Sequence, residues 1–113
     1  MDFRNAALTA FGAGWLFLFG GCENHPNTAF PTAQTVAAQA SGGGAGIATL
    51  ERGRKLYTTR CTECHVARAI DHYSVAQWQH YIGIMAPRAG LKPQDRAAVE
   101  TYVIAARKSL PPD

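Results

Sequence analysis

Cysteine is scarce in this sequence: three of its 113 residues are cysteines, and only two of them lie close together. A zinc site built on cysteine pairs would need a second pair, which the chain lacks. The eight acidic residues do not cluster, and no nucleophile stands beside an obvious base, so nothing indicates acid–base or nucleophilic catalysis. Basic residues are not interleaved with aromatic residues along one segment, which excludes a nucleic-acid-binding module. We therefore expect neither an enzyme nor a nucleic-acid-binding protein.

An apolar run long enough to cross a bilayer is also missing. The uncharged stretch over residues 6–21 has 16 residues, whereas a transmembrane helix needs roughly 20. It is typical of a secretory signal, so we expect residues 1–21 to be a signal peptide. Phe19-Gly20-Gly21-Cys22 resembles the lipobox of bacterial lipoprotein precursors, although Phe19 and Gly20 stand where Leu and Ala or Ser are usual. This resemblance implies lipidation of Cys22; the alternatives are an uncleaved membrane anchor and a plain free thiol.

The composition changes again after Cys22. Residues 22–46 are rich in Ala, Thr, Gln, Pro and Gly and show neither helical nor strand periodicity. A segment of this kind buries too little apolar surface to offset the entropy of ordering it. We therefore expect a flexible tether over residues 22–46 and one folded domain over residues 47–113. A domain of about 67 residues is near the lower size limit for folding on a hydrophobic core alone, so it needs additional support.

The close cysteine pair belongs to the sequence Cys-Thr-Glu-Cys-His at residues 61–65, which is the C-x-x-C-H pattern of covalent haem attachment. On a helical turn, residues i, i+3 and i+4 share a face, so both thiols can reach the haem vinyl groups while the imidazole faces the iron. The motif has three alternative interpretations. A dithiol redox pair would follow a strand, and no strand pattern flanks the motif. In a zinc site completed by His72 and His80, the two histidines would be farther apart in the sequence than is usual for zinc ligands. A structural disulfide between Cys61 and Cys64 would close a loop of only four residues and would stabilise the domain little.

From about Ile47 onward, the sequence resembles the class I (monohaem) cytochrome c family, and the resemblance covers essentially the whole predicted domain. Family members have a glycine and an aromatic residue on a helix just before the haem motif, and Gly53 and Tyr57 match them. Their last helix has an aromatic residue that packs across this first helix. Tyr102 is the matching residue here.

The resemblance implies one haem c, attached covalently to Cys61 and Cys64, with His65 as an iron ligand. An axial methionine is common in the family, well downstream of the motif and often beside a proline. Met85 is followed two residues later by a proline, so we expect Met85 to be the sixth ligand, although a methionine can also simply fill a core. The other candidates for that position are His72, His80 and an open site.

Helical periodicity agrees with an all-α cytochrome c domain of three or more helices around one haem. Apolar residues recur at helical spacing in residues 48–57, a capping box opens a helix over residues 74–85, and Pro93 opens a final helix. A glycine inside a helix costs about 1 kcal/mol relative to alanine. Close approach of a second helix would explain Gly53 in the first one.

Together these residues predict one-electron transfer by a membrane-anchored cytochrome on the periplasmic side of a bacterial membrane. Redox proteins are the expected partners, and Arg60, Arg68 and Arg88 could steer an acidic one; equally, they could neutralise haem propionates or face water. Two alternatives stay open. One is a haem-based sensor or ligand-binding protein with a labile sixth site, and the other is the cytochrome subunit of a periplasmic oxidoreductase complex.

Overall fold

The computed structural model describes residues 29–40 and 44–112. They form four α-helices and one 3₁₀ turn, in the order α1 (Ala33–Gln39), α2 (Ile47–Thr59), the turn (Ile70–His72), α3 (Val75–Arg88) and α4 (Pro93–Ser109). These residues contain no strand, and the predicted all-α fold is confirmed. None of the described helices has the length and apolarity that a membrane span requires. The predicted signal peptide over residues 1–21 and Cys22 lie outside the described residues.

Helices α2 and α4 cross very closely, and Gly53 permits the crossing. A Cβ atom at Gly53 would overlap the carbonyl oxygen of Ala98 and would lie only 2.6 Å from the Cβ atom of Tyr102. The Tyr102 side chain is fully buried beside the crossing, and its ring centroid lies 6.4 Å from that of Tyr57. The expected close approach at Gly53 and the expected packing of Tyr102 on the first helix are both confirmed.

The starts of α3 and α4 follow the predicted signals. The Ser74 hydroxyl accepts a hydrogen bond from the Gln77 backbone N–H at 3.3 Å, and the Gln77 side-chain oxygen accepts one from the Ser74 N–H at 3.0 Å. These reciprocal bonds are the predicted capping box. Helix α4 begins at Pro93 with Asp95 in its first turn. Asp95 also forms an ion pair with Arg52 of α2, so it helps to join the two crossing helices.

The N-terminal segment, residues 29–40, is part of the folded unit, so the prediction of a flexible tether over residues 22–46 is wrong for these residues. Helix α1 packs against α2 and α4 and buries Ala33 and Val36. A seven-residue helix is not stable alone in water, so its tertiary contacts must hold it. Its composition therefore could not reveal it.

Two hydrogen-bond donors from the domain fix this segment. The buried Tyr102 hydroxyl donates to the Pro31 carbonyl oxygen at 2.8 Å. The Arg54 guanidinium is half-buried and donates to the carbonyl oxygens of Pro31 and Phe30 at 3.2 and 3.4 Å. These bonds satisfy backbone acceptors that would otherwise lose water on burial.

The connection between the haem motif and α3 is also held by side chains. Trp78 donates its indole N–H to the carbonyl oxygen of the fully buried Ile70 at 2.8 Å. Arg107 of α4, which is 6% exposed, donates to the carbonyl oxygen of Tyr73 at 3.0 Å. The connection is therefore fastened to both α3 and α4, and it forms one side of the cleft described next.

Candidate haem site

The C-x-x-C-H motif lies directly after α2, in a run of turns. The N–H groups of Arg60 and Cys61 both bond to the carbonyl oxygen of Leu56, at 2.8 and 3.3 Å, so the end of α2 fixes the position of the first cysteine. Cys61 is half-buried, Cys64 is exposed, and both are free thiols. Burial raises the pKa of the Cys61 thiol, which keeps it protonated at neutral pH.

Two adjoining clefts open beside the motif, and Cys61, His65 and Met85 line both of them. The empty space is about 470 Å³ in the inner cleft and about 700 Å³ in the outer cleft, and both values include the solvent at the opening. The other inner-cleft residues are Tyr57, Ala67, Arg68, Tyr73, Trp78, Tyr81, Ile82, Ala86, Leu91 and Val99. The other outer-cleft residues are Arg60, Cys64, Arg88 and Ala89.

The wall of the inner cleft is mainly aromatic and aliphatic. The Trp78 ring packs edge-to-face against Tyr57 and Tyr73, with centroid distances of 5.8 and 5.0 Å, and Tyr73 lies 4.6 Å from Tyr81. The Tyr57 hydroxyl donates to the carbonyl oxygen of Arg68, and burial, with nearby Cys61 as a smaller cause, raises the pKa of Tyr57. Tyr57 therefore stays neutral, and the wall is suited to an apolar, planar ligand.

His65 has one ring nitrogen engaged and one available. Its Nδ1 atom lies 2.9 Å from the carbonyl oxygen of Val66, and a carbonyl oxygen can only accept a hydrogen bond. The neutral imidazole therefore carries its proton on Nδ1, which leaves the lone pair of Nε2 free. This is the form in which histidine binds a metal, with its second nitrogen oriented by a hydrogen bond.

Met85 reaches both clefts from the last turns of α3, and the chain reverses just beyond it. Gly90 has a φ of 66° and donates its N–H to Pro87 at 3.1 Å, while the Leu91 N–H bonds to the Ala86 carbonyl at 3.0 Å. This is a Schellman motif, which needs glycine for its left-handed residue. The turn brings Leu91 back to the inner cleft. We did not predict this contribution, although Gly90 shortly before Pro93 was a usable signal.

The two rival histidines lie elsewhere. The His72 ring lies in the 3₁₀ turn against Tyr73, and the exposed His80 ring lies against Tyr81. Neither lines either cleft. Among residues 29–40 and 44–112, no group of three or more His, Cys, Asp or Glu side chains is arranged to hold a metal ion. The structure thus brings Cys61, Cys64, His65 and Met85 together and leaves His72 and His80 outside.

These residues fit a c-type haem by their chemistry. Two free thiols, separated by two residues, adjoin an imidazole with an available nitrogen, and all three are at the opening of an apolar cleft. A thioether, which is a soft ligand that iron accepts in cytochromes, lines the same clefts. A c-type haem requires thiols suited to thioether formation, two potential axial ligands and apolar walls.

One comparison with known proteins found a c-type cytochrome. The chain is 33% identical over 51 residues to the cytochrome c-type protein TorY of Haemophilus influenzae, and the match covers 45% of this chain and 14% of that protein. The similarity suggests that this chain is a c-type cytochrome, a class that carries covalently bound haem. No protein-family model matches the chain. No solved structure matches it either.

Proposed function

We propose that this protein is a membrane-anchored monohaem cytochrome that carries single electrons, with haem c attached to Cys61 and Cys64. The observation that carries the proposal is that His65 and Met85, 20 residues apart in the sequence, line the same two clefts as Cys61, and that Cys64 lines the outer one with them. A haem held there would supply one-electron redox chemistry. No catalytic nucleophile or base is needed for that function.

The residues around the site would each have a definite part. His65 would donate Nε2 to the iron, because the Val66 carbonyl holds the proton on Nδ1. Met85 would bind as the sixth ligand, and a thioether favours the reduced iron and raises the potential relative to a second histidine. The aromatic wall that includes Tyr57 and Trp78 would exclude water, which disfavours the additional charge of the oxidised state.

The proposed anchor is a lipid on Cys22, after removal of residues 1–21, with the domain on the periplasmic side of a bacterial membrane. Because residue 29 already belongs to the folded unit, the chain from Cys22 to residue 29 could span at most about 25 Å when fully extended. The domain would thus remain near the membrane surface. Its redox partners would have to reach it there.

The proposed partners are redox proteins that approach the outer cleft, where Arg60 and Arg88 lie beside the exposed Cys64. Val66, next to His65, is 86% exposed and offers an apolar contact close to the proposed iron ligand. Cationic side chains around a small apolar contact would steer an acidic partner and accelerate its association. We expect this acceleration to weaken as salt is added.

The experiment that tests the function is the visible spectrum of the full chain matured with haem, in both oxidation states, together with its intact mass. We expect one covalent haem and a charge-transfer band at the red end of the oxidised spectrum, which reports a methionine–iron bond. Met85→Ala should abolish this band and lower the potential, whereas the matched controls His72→Ala and His80→Ala should leave both unchanged. Acyl chains should appear on Cys22 and disappear in Cys22→Ser.

Two outcomes would contradict the proposal. A colourless matured protein, with Cys61 and Cys64 both open to alkylation, would refute haem attachment. Prompt binding of carbon monoxide to the reduced wild-type protein would show a labile sixth position and would favour a sensor or ligand-binding protein. Purification at fixed stoichiometry with a larger redox protein would instead indicate a subunit of an oxidoreductase complex.

A further inference from the structure

Arg60 connects the two walls of the outer cleft. It immediately precedes Cys61, and its Nη2 donates a hydrogen bond to the carbonyl oxygen of Ala89 at 3.0 Å. Ala89 is the C-cap of α3, and its own N–H bonds to the carbonyl oxygen of Met85 at 2.9 Å. The guanidinium therefore reaches from the cysteine motif to the helix end that carries Met85.

This contact matters because the two walls make few direct contacts with each other. Helix α3 packs on α4 but makes no close backbone contact with α2. Within the described residues, the bond from Arg60 to Ala89 is the one hydrogen bond between residues 47–65 and residues 75–89. The direct contacts between α3 and the segment of α2 and the motif are therefore ring packing within the inner cleft and the Arg60 bond at its mouth, while the remaining support runs through α4.

The geometry around Arg60 favours this role. A cation at a helix C-terminus interacts favourably with the helix dipole and with carbonyl oxygens that have no partner within the helix. Nη1 of the same guanidinium bonds to the Glu63 carboxylate at 3.1 Å, inside the haem motif, so both arms of the fork are engaged. The Arg60 side chain is 45% exposed, so its contribution is modest and its removal should not prevent folding.

We propose that Arg60 is a positioning residue that holds the Met85 wall against the Cys61–His65 wall and so limits displacement of Met85 from the iron. This inference rests on the proposed ligation by His65 and Met85. Arg60 itself would not touch the iron. It acts through the Ala89 carbonyl and the last turn of α3.

The test is binding of imidazole, a neutral ligand that must displace Met85, to the oxidised haem-loaded protein. Arg60→Gln should bind imidazole about fivefold more tightly, which corresponds to the loss of one exposed charge-assisted hydrogen bond. Arg60→Met, which keeps the apolar stem without a donor, should show the same increase, and Arg60→Lys should restore most of the wild-type affinity. Arg88→Gln is the matched control, because Arg88 lines the same cleft and its side chain has no hydrogen bond to another described residue. It should bind as the wild type does.

The outcomes separate this inference from the proposed function. If the wild-type protein lacks the methionine–iron band, the ligation itself is refuted. If the band is present and Arg60→Gln and Arg60→Met bind imidazole as the wild type does, only the role of Arg60 is overturned. An equal increase in Arg88→Gln would also overturn it, because the charge of the cleft and not the Ala89 bond would then be responsible. Loss of the same bond should lower the free energy of unfolding of the Arg60 variants by no more than about 1 kcal/mol, so they should still fold.

Discussion

Replacing Gly53 with alanine should destabilise the protein, although alanine is the better helix former. The added Cβ atom would overlap the Ala98 carbonyl oxygen and approach the Tyr102 Cβ atom to 2.6 Å. Neither atom belongs to a side-chain end that could rotate away, so α2 and α4 would have to separate. We take an overpacking cost at the upper end of the usual range, about 3 kcal/mol. Improved helix propensity returns about 1 kcal/mol, which leaves a loss of about 2 kcal/mol.

A matched control is available in α3. A Cβ atom at Gly83 would meet only the Arg96 Nη2 atom, at an ordinary contact distance of 3.6 Å. Gly83→Ala should therefore stabilise the protein by up to about 1 kcal/mol. Thermal unfolding of the haem-loaded variants, followed by circular dichroism, measures both changes. For a domain of this size, Gly53→Ala should lower Tm by roughly 10 °C.

If the crossing geometry is correct, Gly53→Ala must lower the Tm and Gly83→Ala must raise it. If both raise Tm by similar amounts, the helices do not meet closely at Gly53, and the explanation of that glycine is wrong. The same variant has a second readout. Because α2 ends beside Cys61, a displaced α2 should also weaken the methionine–iron band in Gly53→Ala but not in Gly83→Ala.

Further predictions concern the contacts around α4. Tyr102→Phe removes the hydrogen bond to Pro31, so it should cost about 1 kcal/mol and speed limited proteolysis within residues 29–40. Burial raises the pKa of Tyr102 to about 12. Its ordinary pKa is about 10, so between these values the folded state retains a proton that the unfolded state has lost. The free energy of unfolding should then fall as the pH rises from about 10 to about 12, and it should fall less steeply in Tyr102→Phe. Equal slopes for the wild type and Tyr102→Phe in alkaline unfolding curves would contradict this. Arg107→Met should cost about 2 kcal/mol in denaturant unfolding, because it leaves the half-buried Tyr73 carbonyl without that donor; an unchanged midpoint would contradict this.

The proposed chemistry and the main helices could be predicted from the sequence, because each depends on residues close together in the chain. The C-x-x-C-H motif occupies five consecutive residues, and the capping box at Ser74 and the helix start at Pro93 are equally local. Gly53 was also informative, since a glycine inside an amphipathic helix implies a neighbour that lies very close. The structure supplied the neighbour, which is Ala98.

Only the tertiary structure decided which distant residues lie at the motif. Met85 and His80 are five residues apart on α3 and lie on different faces of the helix. Because of the way α3 packs, Met85 lines the clefts and His80 is exposed. The bond from Arg60 to Ala89 joins residues 29 apart, which no local pattern could predict. The same reason explains the error over residues 29–40. Helix α1 has weak local signals, and it forms because Tyr102 and Arg54, far along the chain, hold the residues that precede it.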